Sequence, residues 1–203
     1  MTHVADTIPY PWPYDGTAGL APSRTALVVT GAQARWTALD HDGALARIVG
    51  CADALRTLGV AVVFVTHARS AHARRPGADL PLATDPDASL AVQPADDDLV
   101  VDTPAHDGFL SGRLDHELRA RGRDHLLFAG FGAEVLLDST LRSANDRGYE
   151  CLTLADAAVP FDPLTGARAL DSITMSGGIF GAVGTTGAVL AAFSVTAPEE
   201  VPR

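Results

Sequence analysis

Five ionisable side chains lie directly after predicted strands or at the start of a predicted helix, where acid–base chemistry is usually found. His67 follows one apolar run, and Asp102, His106 and Asp107 follow another. Glu134 lies in the first turn of a helix. An imidazole titrates near neutral pH, so His106 is the first candidate for proton transfer, with the three carboxylates in support. Loop solvation and the favourable position of an acid at a helix N-terminus are the alternative explanation for these residues.

The stretch 125–150 is the part of the chain best suited to position such groups. Residues 125–129 form an apolar run, Gly130 and Gly132 permit a tight reversal, and residues 133–148 carry apolar side chains at helical spacing. The first N–H groups of that helix would favour an anion or a developing oxyanion at the sheet edge. The glycine pair resembles a dinucleotide-binding turn, but Val135 stands where the third glycine belongs, so we expect no cofactor.

The remaining elements alternate between strands and helices, without a solenoid repeat. This order predicts an α/β fold, with a single doubly wound domain at residues 25–203. We predict strands at 25–30, 60–66, 98–102, 125–129 and 150–155, helices at 38–58, 114–121 and 163–175, and a last strand and helix within 177–193.

Residues 1–24 form a separate feature, an extended arm before the domain. The arm holds four prolines together with Tyr10, Trp12 and Tyr14, which is too much proline for a helix. Its aromatic side chains could cover the body of the domain. A polyproline ligand for a partner is the alternative.

The charge balance limits the possible partners. The formal net charge is −10, and all 15 basic residues are scattered arginines, so nucleic acid and anionic membranes are not expected as partners. The absence of lysine excludes a lysine Schiff base and a P-loop lysine. No apolar run approaches the length of a membrane span.

Cysteine and histidine usage gives no indication of a metal site. Cys51 and Cys151 are far apart, with no CxxC pair and no secretory leader, which predicts a cytoplasmic protein with buried free thiols. The seven histidines, among them His67 and His72, show no HExxH motif, and we expect no metal. There is also no G-x-S-x-G motif of a serine hydrolase.

Several phrases of this chain resemble the isochorismatase-like cysteine hydrolases. They are YPWPYDG in the arm, ALVVTGAQARW at the first strand, DTPAHDGF after the third strand, GFGAEVLL at the central turn, and GGIFGAVGTTGAVLAAF near the end. The similarity runs from Tyr10 to Phe193 and is greatest to the biuret hydrolase and ureidoacrylate amidohydrolase branch. It implies a doubly wound domain with a six-stranded, mostly parallel sheet and helices on both faces, and it implies a homo-oligomer.

The same resemblance implies an Asp-Lys-Cys triad, and this chain departs from it at each position. Gly31 stands in place of the aspartate, Thr103 in place of the lysine and Leu136 in place of the nucleophilic cysteine. Where a triad acts as a unit, such losses remove on the order of 10⁶-fold in rate. The resemblance implies that the three substituted positions line the pocket together with Gln33, Trp36, His67, Gly132 and Ala133.

Three functions are compatible with these substitutions. The first is a repurposed enzyme that acts non-covalently, by isomerisation, cyclisation or elimination, on a small organic molecule, in a cavity made less polar by the substitutions. The second is a catalytically dead paralogue that assembles with or regulates an active amidohydrolase. The third is a small-molecule binding protein. Residues 67–97 are shortened by roughly twenty residues relative to the family, which predicts a more open pocket.

Overall fold

The computed structural model describes residues 3–14, 19–67 and 89–196. Six strands form one all-parallel sheet, in the order β3-β2-β1-β4-β5-β6. Their bounds are β1 (Thr25–Thr30), β2 (Ala61–His67), β3 (Leu99–Thr103), β4 (His125–Phe131), β5 (Glu150–Val159) and β6 (Ala182–Gly184). The predicted fold class is confirmed.

Five α-helices cover both faces of the sheet: α1 (Ala44–Thr57), α2 (Arg113–Ala120), α3 (Asp138–Asp146), α4 (Pro163–Met175) and α5 (Thr186–Thr196). The even-numbered and odd-numbered side chains of β1 point to opposite faces, and both sets are buried because helices lie on both sides. Helices α1 and α5 contribute Ile48, Leu55 and Phe193 to one core. Helices α2, α3 and α4 contribute Leu114, Leu141 and Ile173 to the other.

Helix α1 begins later than the sequence predicted. The predicted start at Ala38 is wrong, because Ala34–Leu39 forms a 3₁₀ helix. The carboxylate of Asp40 accepts hydrogen bonds from the N–H groups of Ala44 (2.7 Å) and Leu45 (3.0 Å). These are unpaired donors of a first helical turn, so Asp40 fixes the helix start at Ala44. A second short 3₁₀ helix, Pro22–Arg24, precedes β1.

The central turn also differs from the predicted helix. The backbone bulges into a π-helical turn at Ala133–Leu137 before α3 begins at Asp138. Gly132 adopts a left-handed conformation, with φ of 71°, at the start of this turn. Strand β4 accordingly extends to Phe131, beyond the predicted end at Ala129.

The N-terminal arm packs along the sheet at β6. Val4 pairs with Trp12, and Ile8 pairs with Val183 of β6, both in antiparallel bridges. Trp12 is fully buried, with its ring centroid 5.5 Å from that of His125. Because His125 begins β4, the arm lies at the amino edge of the sheet, opposite the edge described next. Residues 15–18 of the arm lie outside the described residues.

Candidate functional site at the carboxyl edge of the sheet

The carboxyl ends of β1, β2 and β4 meet where ligands bind in open α/β sheets. Strand β1 lies between β2 and β4, so the chain crosses to opposite sides of the sheet at this position. Gly31 follows β1, His67 ends β2 and Gly132 follows β4. The structure therefore brings together most of the residues that the sequence assigned to the pocket.

The position of Gly31 has no room for a side chain. A Cβ atom there would lie 2.9 Å from Leu136 Cδ1, 2.9 Å from the Phe131 carbonyl oxygen and 3.0 Å from Trp36 Cζ3. Leu136 is fully buried and Trp36 is 2% exposed. The sequence predicted a less polar cavity here, but among the described residues Leu136 and Trp36 occupy the space beside Gly31.

Phe161, which the sequence analysis did not single out, continues this apolar wall. Its ring centroid lies 5.6 Å from that of Trp36 in an edge-to-face arrangement. A Cβ atom on Gly132 would lie 2.5 Å from the Phe161 ring. The residue follows β5 in a Pro-Phe-Asp-Pro turn. Because it lies far in sequence from Trp36 and Gly132, no local pattern predicts its contacts with them.

A cavity of about 190 Å³ lies on the β5 side of Phe161. It is lined by Leu39, His41, Asp42, Ala44, Ala155, Asp156, Ala158, Val159, Pro160, Phe161 and Pro163. The Asp156 carboxylate accepts hydrogen bonds from the Thr186 N–H (2.9 Å) and hydroxyl (2.6 Å), which ties it to the start of α5. This volume is below the roughly 300 Å³ at which ligand pockets usually begin.

Thr103 and Asp107 form one structural unit after β3. The Thr103 hydroxyl donates to the Asp107 carbonyl at 2.8 Å. The Asp107 carboxylate accepts from the Phe109 N–H and from the Ser143 hydroxyl, each at 2.8 Å. Its two oxygens therefore hold the loop and link it to α3.

The other two candidates, Asp102 within β3 and His106 in the loop that follows it, are exposed. Asp102 accepts a hydrogen bond from the Thr66 hydroxyl of the neighbouring strand, and its register partner is Thr66. His106 lies exposed on the loop. The assignment of His106 as proton carrier stays a prediction.

Glu134 links the central turn to the start of α4. Its carboxylate accepts from the N–H groups of Phe161 (3.0 Å) and Asp162 (2.8 Å) and from the Thr165 hydroxyl (3.1 Å). Glu134 therefore fixes the loop that carries Phe161.

We expect the Glu134→Ala variant to lose about 2 kcal/mol of unfolding free energy, because hydrogen bonds to a charged acceptor are worth about 1.5–3 kcal/mol. Urea denaturation gives this value. Glu117→Ala is the control: it removes a partly exposed carboxylate of α2 that pairs with Arg121, the residue after that helix, and should leave the midpoint nearly unchanged. Equal losses in the two variants would contradict the structural role of Glu134.

In the π-helical turn, N–H groups that the sequence predicted to be free to bind an anion donate to the backbone instead. The N–H groups of Val135, Leu136 and Leu137 donate to the Gly132 carbonyl at 3.0, 2.8 and 3.1 Å. A regular first helical turn would present more free donors. The prediction that this turn binds an oxyanion is therefore weakened. Within the turn, the N–H groups that do not bond to the Gly132 carbonyl are those of Ala133 and Glu134.

His67 is held rigidly at the end of β2. Its N–H donates to Gln33 Oε1 (2.8 Å), its carbonyl accepts from Arg35 Nη2 (2.7 Å), and its ring Nδ1 lies 2.9 Å from the Ala105 carbonyl. The Arg35 guanidinium also stacks over the Trp36 ring at 4.1 Å. Burial lowers the pKa of His67 to about 4, so the ring is uncharged at neutral pH.

Neither cysteine is suited to nucleophilic chemistry. Cys51 lies in α1 and Cys151 in β5, and both are buried free thiols. Burial raises the pKa of Cys51 to about 12 and also raises that of Cys151. Both therefore stay protonated at neutral pH.

The described part of the chain contains no group of three metal-binding side chains close enough to hold an ion. His72 and the rest of residues 68–88 lie outside it, as does most of the segment predicted to be shortened. Within 3–14, 19–67 and 89–196, none of the helices combines the length and apolar character that crossing a bilayer requires. The cytoplasmic location stays a prediction.

Residues 25–187 match the family described as the Isochorismatase domain. The chain belongs to the isochorismatase family. Among solved structures of this family's fold, a cysteine hydrolase from Pseudomonas syringae pv. phaseolicola 1448A superposes with a TM-score of 0.72 and 27% identity, covering 87% of this chain and 95% of that one. N-carbamoylsarcosine amidase from Thermoplasma acidophilum shares the fold, with a TM-score of 0.65, 21% identity, and 80% and 96% coverage.

Curated relatives place the chain nearer one branch of the isochorismatase family. Ureidoacrylate amidohydrolase RutB of Acinetobacter baylyi is 37% identical over 78 residues, which are 38% of this chain and 32% of that protein. RutB of Stutzerimonas stutzeri is 43% identical over 68 residues, or 34% and 27%. The match therefore spans about a third of these relatives' length. The resemblance predicted from the sequence, including its ureidoacrylate amidohydrolase branch, is confirmed.

Proposed function

We propose that this isochorismatase-family protein binds a small organic molecule and acts on it without a covalent intermediate. The observation that carries the absence of a covalent intermediate is the packing at Gly31, where Leu136 and Trp36 occupy the space that a side chain on residue 31 would need. The family resemblance assigns the general base, the lysine and the nucleophile to Gly31, Thr103 and Leu136. None of these residues has a group that could fill the corresponding role.

The described cysteines support the same proposal. A thiolate nucleophile requires a lowered thiol pKa in an accessible, electropositive environment. Cys51 and Cys151 have raised pKa values, are buried, and lie in α1 and β5, away from the turn that carries Leu136. Neither cysteine therefore replaces the nucleophile that the resemblance assigns to position 136.

The reactions that such a site can support are isomerisation, cyclisation or elimination of an already reactive substrate. One positioned proton carrier contributes about 10² to 10⁴-fold in rate. An intact triad supplies a far larger rate enhancement, on the order of 10⁶-fold. Hydrolysis of an unactivated amide lies outside this range.

The amide substrates to test are ureidoacrylate, biuret, nicotinamide and N-carbamoyl amino acids, with ammonia release as the measurement. We expect no release above the uncatalysed rate, with or without prior iodoacetamide treatment. Amidase activity that iodoacetamide abolishes would overturn the proposal. A screen of small metabolites for thermal stabilisation, followed by a turnover assay, then separates conversion from binding alone.

A second candidate, assembly with another copy or with an active paralogue, is favoured by exposed apolar side chains. Met175 is 83% exposed, Ile179 71% and Val195 79%, although large apolar side chains are usually buried. Light scattering at micromolar concentration, alone and mixed with an active family member, tests this candidate. A monomer in both samples would exclude it.

A further inference from the structure

One ring nitrogen of His67 is buried without a hydrogen-bond partner. The side chain is 4% exposed, and no described residue bonds to Nε2. Nδ1 lies 2.9 Å from the Ala105 carbonyl, and because a carbonyl can only accept, Nδ1 must carry the proton. Nε2 is therefore an unprotonated acceptor.

The ring cannot turn to find a partner for Nε2. Gln33 binds the His67 N–H, Arg35 binds its carbonyl, and Ala105 fixes Nδ1. An unsatisfied buried acceptor costs about 1–3 kcal/mol. The chain retains this cost at the carboxyl edge of the sheet, where the fold binds ligands.

The indole nitrogen of Trp36 is the matching donor. Trp36 Nε1 is also buried without a partner among the described residues. The ring centroids of Trp36 and His67 are 6.5 Å apart, so one small molecule can reach both rings. The indole packs against the Gly31 position through Cζ3, on the side of the ring away from Nε1, so this packing does not cover the N–H.

We propose that His67 Nε2 and Trp36 Nε1 are the polar contacts of the ligand site, and that the ligand is a small, uncharged molecule bearing a hydroxyl. The hydroxyl hydrogen donates to His67, and the oxygen accepts from Trp36. This inference rests on the proposed function and names the ligand class for the same site.

Charged ligands fit these two contacts less well. A carboxylate has no proton to donate to His67 Nε2, and its charge opposes the ring lone pair. An ammonium group has no acceptor for the Trp36 N–H. The His67 ring is uncharged at neutral pH and the indole is neutral, so neither contact itself supplies a charge to offset the desolvation of an ion. The nearby cation, Arg35, is engaged by the His67 carbonyl and the face of the Trp36 ring.

The test uses benzyl alcohol as the probe, with benzoate and benzylamine as charged analogues of the same shape. In protein labelled with ¹⁵N at histidine, the His67 Nε2 resonance should have the chemical shift of an unprotonated nitrogen and should move on titration with benzyl alcohol. Benzoate and benzylamine should bind at least tenfold more weakly.

Two variants separate the ligand contacts from the structural role of each side chain. His67→Asn keeps an N–H that can reach the Ala105 carbonyl but lacks Nε2, and Trp36→Phe keeps the ring but lacks the N–H. Each should weaken benzyl alcohol binding about fivefold, in line with the loss of one hydrogen bond. His116→Asn, at an exposed position of α2, should leave it unchanged.

An unchanged Nε2 resonance at saturating benzyl alcohol, equal binding of the three probes, or full affinity in His67→Asn would each overturn this inference. A buried water that contacts Nε2 and persists in the presence of the alcohol would do the same. These results leave the proposed function standing, because that proposal is tested separately, by amide hydrolysis, by adduct formation and by turnover of the ligands that the metabolite screen identifies.

Discussion

Replacing Gly31 by alanine is expected to lower the free energy of unfolding by about 3 kcal/mol. Gly31 has a φ of 61°, and an L-residue in this left-handed region costs roughly 1–2 kcal/mol. The added Cβ would also lie 2.9 Å from the Phe131 carbonyl oxygen and from Leu136 Cδ1. Such overpacking costs about 1–3 kcal/mol. Urea denaturation monitored by circular dichroism measures the change.

Gly122→Ala is the matched control for this prediction. Gly122 has nearly the same φ, 63°, and a Cβ there would meet nothing within 4 Å. Its loss should therefore be only about 1–2 kcal/mol, from the backbone conformation alone. If the two variants lose the same amount, Leu136 and Trp36 do not fill the space beside Gly31.

A double variant isolates the contact with Leu136. Leu136→Ala alone should cost about 3 kcal/mol, as for other buried leucines. The Gly31→Ala and Leu136→Ala pair should cost about 1 kcal/mol less than the sum, because removing Cδ1 relieves the contact. Strict additivity would contradict direct packing between the two positions.

Acidification is expected to destabilise the protein through His67. The folded-state pKa is lowered from 6.5 to about 4, mainly by burial; the nearby His106 and Arg35 act in the same direction, and Asp107 and the Ala105 carbonyl oppose it. Between these two pKa values the unfolded chain binds a proton that the folded protein excludes. Stability is therefore complete above about pH 6.5 and falls as the pH approaches 4, by about 3 kcal/mol in total.

The His67→Asn variant isolates this contribution from that of the carboxylates. Asparagine does not titrate, so the variant should lose about 3 kcal/mol less than the wild type between about pH 7 and pH 4. Urea denaturation of both proteins across this range gives the difference. Parallel curves would show that His67 takes up a proton in the folded state as readily as in the unfolded chain.

Local pattern was enough to predict the architecture. Buried strands such as Thr25–Thr30 read as continuous β-branched and apolar runs, and the glycines at 130 and 132 marked the central turn. The predicted helix at Pro163–Met175 has the observed bounds, since a proline follows the capping residue Asp162. Element type and order therefore follow from short-range chemistry.

The contents of the site depend on contacts that local pattern does not encode. Glu134 reads as an available acid in the sequence, yet its carboxylate binds Phe161, which lies far along the chain. The glycine at position 31 suggests open space, but the side chain of Leu136, from the turn after β4, occupies that space. Both contacts form only when the turns after β1, β4 and β5 meet at one sheet edge.

His67 is a residue whose importance local sequence pattern underestimates. As a histidine after a strand it had no advantage over His106, and the sequence favoured His106 for its expected titration near neutral pH. The fold buries His67 and leaves His106 exposed. The choice between the two depends on burial, which only the folded structure supplies.

Intact-protein mass spectrometry during exposure to ureidoacrylate tests the absence of a covalent intermediate most directly. Protein and excess substrate are mixed, quenched in acid at successive times and weighed, with iodoacetamide labelling of the unfolded chain as the positive control for adduct detection. We predict the unmodified mass at every time point. An acyl adduct that forms and decays with time, on any residue, would contradict the account.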